Sequence, residues 1–299
     1  MMSLSPRRRG ELFILTGTLL WSLFPVVTIL TFSRLSTFMA AGLATLVSAA
    51  FFAVLLTMKG RWSDFLKKAA WKGMLLTTLY IGIVYYGLVF IGIKFTTAGN
   101  ASIMSQMELF FAFLLLSVVL KHERISTQQV IGSVSMVLGA VLILLPKASG
   151  WHIGDAIIVF ATMFPPIGNK HAQSARALVS SEAIMFCRSF FSGIFLLLLG
   201  GIIEPLPSIA ALSASVPMLL LNGILLLGYS KILWIEGINL IPITEATSIC
   251  SINPLFTLLF AFLLLHEHVT SVQILGFIPI AVGMLLLIRK EGIVVTVNP

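Results

Sequence analysis

Charge is what this sequence has least of. Only 10% of its 299 residues are Asp, Glu, Lys or Arg, against about 25% in an ordinary soluble domain. A chain this poor in charge and 58% hydrophobic has too little polar surface to face water, which places it in lipid. Cysteine is almost missing. Cys187 and Cys250 both fall inside apolar runs, so neither a disulfide framework nor a CxxC metal site is available. The five histidines, His122, His152, His171, His266 and His268, lie near the ends of apolar runs, and the two of "HEH" are only two residues apart. No metal is expected from them. No phosphate-cradling or dinucleotide glycine motif is present, so no nucleotide-driven chemistry and no cofactor is expected. The excess of 19 basic over 11 acidic residues is not arranged as a basic stripe interleaved with aromatics, so no nucleic-acid partner is expected.

What the sequence has in abundance is long apolar runs. A membrane-crossing helix needs about 20 apolar residues. Marking the interruptions gives ten such runs, near 11–32, 36–58, 72–94, 98–120, 127–146, 153–173, 181–203, 210–237, 243–265 and 271–289. The start "MMSLSPRRRGELFILTG" has the charged head of a secretion signal, but its apolar run continues to Phe32 without a small-residue cleavage site. It reads as an uncleaved first span. With the N-terminus inside, the inner segments carry Arg7, Arg8, Arg9, Lys59, Arg61, Lys67, Lys68, Lys72, Lys121, Arg124, Lys170, Arg176, Arg289 and Lys290. The other side carries Arg34, Lys94 and Lys147. This asymmetry predicts that both termini are cytoplasmic.

The second half repeats the first. A shift of 144 residues carries His122 onto His266, Glu123 onto Glu267, Gln129 onto Gln273, Gly132 onto Gly276, Gly139 onto Gly283 and Tyr85 onto Tyr229. "LFP" at 23–25 aligns with "MFP" at 163–165. Five spans per half is an odd number, so the two halves insert in opposite orientations. The expected fold is an all-α integral membrane protein, ten transmembrane helices arranged as two inverted five-helix repeats, residues 1–148 and 149–299. Ser126–Gln129 and Thr270–Gln273 are capping-box patterns at the starts of spans five and ten. Glu123 and Glu267 precede those starts, where exposed N–H groups favour an anion. The glycines of these spans allow close helix approach.

The doubled pattern of "KHERIS…GSVSMVLG" and "HEHVTS…GFIPIAVG" resembles the drug/metabolite transporter superfamily, EamA type, over nearly the whole chain. That resemblance implies a ten-helix carrier with a central cavity, often one that exports amino acids or other small metabolites. The family often has a proline within the fourth span of a repeat. Here Pro254 supplies it in the second half, whereas the first half has Phe110, and nothing in the sequence predicts an equivalent break there.

Polar groups inside the runs are the candidate site. Pro25 interrupts the first span and Pro165 and Pro166 the sixth, and proline forces a helix to bend or unwind. Interruptions at corresponding places in two halves point to a transporter binding site. Glu108 lies on a stripe with Ala101, Ser105 and Ala112 in span four, turned toward the protein interior. Arg188 sits in span seven, and Lys231 near the inner end of span eight. Depth along the helices brings Arg188 closer to Glu108 than Lys231, which is placed to snorkel to the surface with Glu236. Glu108 and Arg188 are either a fixed ion pair or cavity groups that exchange partners with substrate, with Glu108 the candidate proton-coupling residue. Trp21, Tyr85 and Tyr229 are aromatic candidates for solute contact, with Asn169 and Asn253 as further hydrogen-bonding groups.

A secondary transporter, an intramembrane enzyme and a channel or structural membrane protein compete as readings. Intramembrane acid–base or metal chemistry needs convergent His, Asp or Cys groups deep in the spans. A channel needs charge rings or a carbonyl filter. Neither pattern is visible, and the inverted duplication favours the carrier. The expectation is an exporter in a bacterial inner membrane, a monomer or weak dimer. Its partners are the lipid bilayer, a small-molecule substrate and protons. The substrate is an amino acid, a related carboxylate or zwitterion, or a drug-like compound.

Overall fold

The computed structural model describes residues 5–115, 126–144 and 152–288, and every element among them is helical. Helices α1 (Pro6–Phe32), α2 (Thr37–Met58) and α3 (Lys68–Lys94) come first. Then follow α4 (Ala98–Ser105 and Met107–Phe113), α5 (Thr127–Leu144) and α6 (Ile153–Ala161 and Phe164–Arg176). The chain continues through α7 (Ser181–Ile203), α8 (Ile209–Ile238), α9 (Ile243–Cys250 and Asn253–Leu265) and α10 (Ser271–Ile288). Among the described residues, 8 helices are long and apolar enough to cross a membrane, all of these except α4 and α6. The apolar run of α4 continues into residues outside those described. The second piece of α6 carries Asn169, Lys170, His171 and Arg176, which dilute its apolar character. The junction between the halves at 148 and 149, and Glu123, lie outside the described residues.

Helix is what an apolar backbone must adopt in lipid, because no water is there to satisfy its N–H and C=O groups. Side chains finish the ends. Both capping boxes form in full. The amide of Gln129 donates to Ser126 Oγ (3.3 Å) while Ser126 N–H donates to Gln129 Oε1 (3.1 Å). Gln273 and Thr270 repeat the exchange at 3.2 and 2.8 Å.

Glycine sets the closest crossings. Helix α5 packs against α10 with Gly132 facing Gly283 and Gly139 facing Gly276. Between these contacts Ser135 Oγ donates to the Pro279 carbonyl at 2.8 Å. A 144-residue shift carries 132 to 276 and 139 to 283, so exchanging the two halves leaves the contact unchanged. An exchange of the halves also relates two further crossings, with an offset of one or two residues at the ends of α3 and α8. Gly10 of α1 meets Gly237 and Ile241 at the end of α8, and Gly154 of α6 meets Gly92 and Phe95 at the end of α3. Helix α2 lies along α7, with Gly42 on Leu197 and Gly193 on Leu46.

Carboxylates tie helix starts to the opposite half. Glu204, after α7, accepts from the N–H groups of Phe38 and Met39 at the start of α2, at 3.0 and 3.1 Å. Asp64, after α2, accepts from Ser180 N–H at the start of α7, at 2.9 Å. Glu267 was expected to serve the N-terminus of its own neighbour α10. Instead it accepts from Ala98 N–H at the start of α4, at 3.1 Å. The attraction of an anion to exposed helix N–H groups is as expected, but the tertiary fold supplies a different helix.

Candidate functional site

Among the described residues four helices are broken: α1 at Leu23, α4 at Gln106, α6 at Thr162–Met163 and α9 at Ser251–Ile252. Next to each break a hydroxyl bonds back to the preceding turn. Ser22 donates to Leu19 O, Ser105 to Ala101 O, Thr162 to Val159 O and Ser251 to Ser248 O, at 2.7, 2.7, 2.6 and 2.7 Å. Such back-bonding competes with the helix ladder and bends it. Pro25, Pro165 with Pro166, and Pro254 open the second pieces of α1, α6 and α9, where a missing N–H costs nothing. Helix α4 breaks without proline, an outcome the Phe110 position did not predict. Ser105, and the tightened bonds Gln106 N–H to Ile103 O (3.1 Å) and Leu109 N–H to Gln106 O (3.2 Å), accomplish it. The carbonyl of Ser22, freed at the α1 break, accepts from Thr257 Oγ1 of α9 at 2.9 Å.

Helices α3 and α8 are distorted in a matched way. Thr78–Tyr85 and Leu221–Tyr229 wind as π-helix. Tyr86 N–H reaches Ile81 O and Ser230 N–H reaches Leu225 O, five residues back in each case. Such bulges concentrate at functional sites. Their tyrosines part company: Tyr85 is buried, whereas Tyr229 is 43% exposed and faces outward.

The broken helices α1, α4 and α9 and the bulged helices α3 and α8 line a cavity of about 300 Å³. It extends from the α1 break toward the end of the bundle where α1 starts and α8 ends, as far as Ile14 and Trp234, whereas the Pro165–Pro166 break of α6 is not on its wall. Its wall includes Thr18 and Trp21 from α1, Tyr85 from α3, Ser105 and Glu108 from α4, Ser230, Lys231 and Trp234 from α8, and Thr247, Cys250 and Asn253 from α9. Lys231 is not turned to the surface. Its Nζ stands 3.3 Å from the centroid of the Trp21 ring, a cation–π contact worth about 2 kcal/mol where water is excluded. Trp21 in turn stacks on Phe24 across the α1 break, at 4.7 Å and 8°. Thr18 Oγ1 and Cys250 Sγ lie 3.1 Å apart on the same wall. Among the described residues, the four ion pairs all lie at helix ends, and none joins Glu108 to Lys231 or Arg188.

The structure therefore brings together Glu108, Lys231, Tyr85, Trp21 and Asn253. Arg188 is buried on α7 outside that wall, with its Cζ 5.5 Å from the Tyr86 ring centroid. Helix depth favoured Arg188 as the neighbour of Glu108, but depth does not specify which face a side chain takes, and Lys231 has the facing position. Asn169 is exposed on the second piece of α6, away from the cavity. Thr18, Ser230, Thr247 and Cys250 had no distinguishing signal in the sequence, since lone hydroxyls and thiols are common on packed helix faces.

Known proteins resemble the chain along its length. The profile of the EamA-like transporter family matches residues 8–145 and, a second time, 153–289. The uncharacterized transporter YoaV of Bacillus subtilis (strain 168) is 23% identical over 276 residues, covering 91% of this chain and 94% of that one. A solved crystal structure superposes with a TM-score of 0.66 at 18% identity, over 94% of this chain and 96% of the other. A likeness at that identity speaks for the fold. With apolar helices, a cavity that has Glu108 and Lys231 on its wall and a family match over both halves, the chain belongs to the EamA-like transporter family and is a multi-pass membrane transporter.

Proposed function

We propose that this transporter moves an amino-acid-sized zwitterion or carboxylate by alternating access, without nucleotide hydrolysis. One observation carries the reading: Glu108 and Lys231 line the same cavity of about 300 Å³, and no ion pair joins them. Unpaired charges at membrane depth are costly unless water or a ligand meets them. A solute bearing both an ammonium and a carboxylate complements the two walls. The cavity is at the small end of the range for organic ligands, and Trp21, Tyr85 and Trp234 add flat apolar surface for the solute's body.

The architecture that goes with this reading is ten spans in two inverted halves, 1–148 and 149–299. The glycine crossings that survive exchange of the halves support it, as does the double family match. The basic residues favour cytoplasmic termini in a bacterial inner membrane, and a cavity lying toward the N-terminal end suits an exporter that loads from the cytoplasm. Glu108 is the residue placed to take a proton in exchange for solute.

The test is uptake and exchange by purified protein in liposomes across a panel of amino acids, their decarboxylated amines and other carboxylates. Zwitterions are expected to exchange and the amines to fail. Glu108→Gln is expected to abolish dependence on a proton gradient while the protein melts at an unchanged temperature. Wild-type-like, gradient-driven exchange by that variant would remove Glu108 from the mechanism. Ion currents at channel rates without solute would overturn the carrier reading itself.

A further inference from the structure

The end of the bundle farther from the cavity is closed by buried polar groups. Asn100, at the start of α4, donates through Nδ2 to Asp155 Oδ2 of α6 at 2.8 Å. Thr96 also donates to Asp155. Gln273, at the start of α10, donates through Nε2 to Asn100 Oδ1 at 2.9 Å and to Thr97 Oγ1 at 3.3 Å. Asn100, Asp155 and Gln273 are 3, 1 and 5% exposed. The set joins α4 of the first half to α6 and α10 of the second. Between it and the main cavity lies a void of only about 20 Å³, bounded by Ile93, Ala101 and Ser102 on the closed side. That is room for about one water. The barrier between cavity and far side is therefore this one polar layer and the packing beneath it.

The internal duplication gives the layer a counterpart. Under the 144-residue shift Gln273 corresponds to Gln129, Asn100 to Thr244 and Asp155 to Glu11. Glu11 and Gln129 fall at the other end of the molecule, where no hydrogen bond joins the two among the described residues. Gln129 Oε1 serves its capping box as Gln273 Oε1 does, but no donation from Gln129 Nε2 is found among the described residues. Glu11 is held by Arg7 at 3.2 Å instead, and Arg7 bridges exposed to Glu245 of α9 at 3.0 Å. One end is hydrogen-bonded between the halves; at the other, Gln129 is equally buried at 5% but makes no such bond among the described residues, and Glu11 pairs with the exposed Arg7.

We infer that Asn100, Asp155 and Gln273 form a latch that holds the far end shut, and that Glu11 and Gln129 belong to its inverted duplicate. The duplicate closes the N-terminal end when the first opens. The inference rests on the alternating-access reading. It adds the residues that set which side the cavity faces. A buried hydrogen-bonded set suits this role because each bond is nearly neutral when exchanged for water but costly to leave unmade. The latch is therefore stable while dry and loses little once water enters.

Cys250 on the cavity wall is a native reporter that needs no substrate. In a Cys187→Ala background, its alkylation by a membrane-impermeant maleimide is followed in vesicles of both orientations, with a terminal tag marking the N-terminal side. Unaltered protein is expected to label from the N-terminal side. Gln273→Ala and Asn100→Ala are expected to raise labelling from the far side about tenfold, the effect of losing about one such bond. Gln129→Ala is expected to move the balance the other way, lowering labelling from the far side. Equal shifts by Gln129→Ala and Gln273→Ala, or no change in variants that remain monodisperse with unaltered melting, would overturn the latch. Because labelling is read without solute, a failed transport assay and a failed latch are separate results. Latch variants that behave as expected in a protein with no exchange activity would leave the switch and remove the carrier.

Discussion

At the scale of single residues, two charged side chains have assignments that solution measurements can check. Lys231 is held on the face of Trp21, so its ammonium is poised on the cavity wall rather than in the surface layer. Replacing it with methionine keeps the aliphatic contact with the indole and removes the charge. Lys231→Met is expected to lower exchange of carboxylate-bearing solutes by at least about tenfold, with a melting temperature within a few degrees of the parent. Retained exchange would mean that Lys231 only packs. Asp64, on the turn between α2 and α3, is different in kind. Burial alone pushes its carboxyl up, but the hydroxyl and N–H of Ser180 and the ammonium of Lys67 outweigh that and hold it down at about 2, against an ordinary 3.8. A carboxyl whose folded value is depressed stabilises the protein above its unfolded value. That contribution is lost as pH falls from 3.8 toward 2. Asp64→Asn is expected to cost about 2 kcal/mol at neutral pH. The gap between variant and parent melting curves should close as the pH is lowered through this window. A pH-independent gap would assign the loss to packing.

At the scale of the helix, the lesson concerns what breaks one. Proline was the visible signal, and it marks three of the four breaks. The common feature is a serine or threonine hydroxyl bonded back to a carbonyl three or four residues earlier. Ser105 was read as part of a small polar stripe, yet it lies at the break that leads into Glu108. Ser105→Ala is expected to let α4 run straight and turn Glu108 away from Lys231. Exchange should fall severalfold or more with stability unchanged or slightly higher, since a competing bond is removed. A variant with full activity would show that the break needs no hydroxyl. The crossing of α5 and α10 makes the opposite kind of prediction. A Cβ at Gly132 would come within 2.8 Å of the Gly283 carbonyl, and backbone cannot yield as a side chain can. Gly132→Val is expected to cost about 1–3 kcal/mol by overpacking, read as a lower melting temperature in detergent. Ile131 beside it is 56% exposed, and Ile131→Val should be nearly silent.

At the scale of the molecule, the pattern is exchange between halves. Helix α1 with α8 repeats as α6 with α3, and the crossings of α2 with α7 and of α5 with α10 map onto themselves. Carboxylates follow the same plan: Asp64 serves α7 and Glu204 serves α2. Under the proposed alternating access, a molecule related to itself in this way reaches its second conformation when the halves trade local structure. The proposed ten spans, an even number, would put both termini on one side. Reporter fusions at Met1 and Pro299 are expected to give the same, cytoplasmic signal. Signals on opposite sides would rule out the ten-span reading.

Composition and periodicity by themselves determined the solvent, the helical class, the duplication and the inward face of Glu108. These follow from local physics: apolar runs of sufficient length must be helical in lipid, and a charge there must face inward. Cap residues likewise made the starts of α5 and α10 legible. Three things were decided only by the tertiary structure: that Lys231 and not Arg188 shares the cavity with Glu108, that Tyr229 turns away while its counterpart Tyr85 turns in, and that Glu267 serves a helix in the other half. Each depends on the rotation of a helix about its axis and on which neighbour it meets. That rotation is set by glycine crossings and by π-helical turns that change which face follows them. Such contacts join residues more than a hundred positions apart, and no local pattern records them.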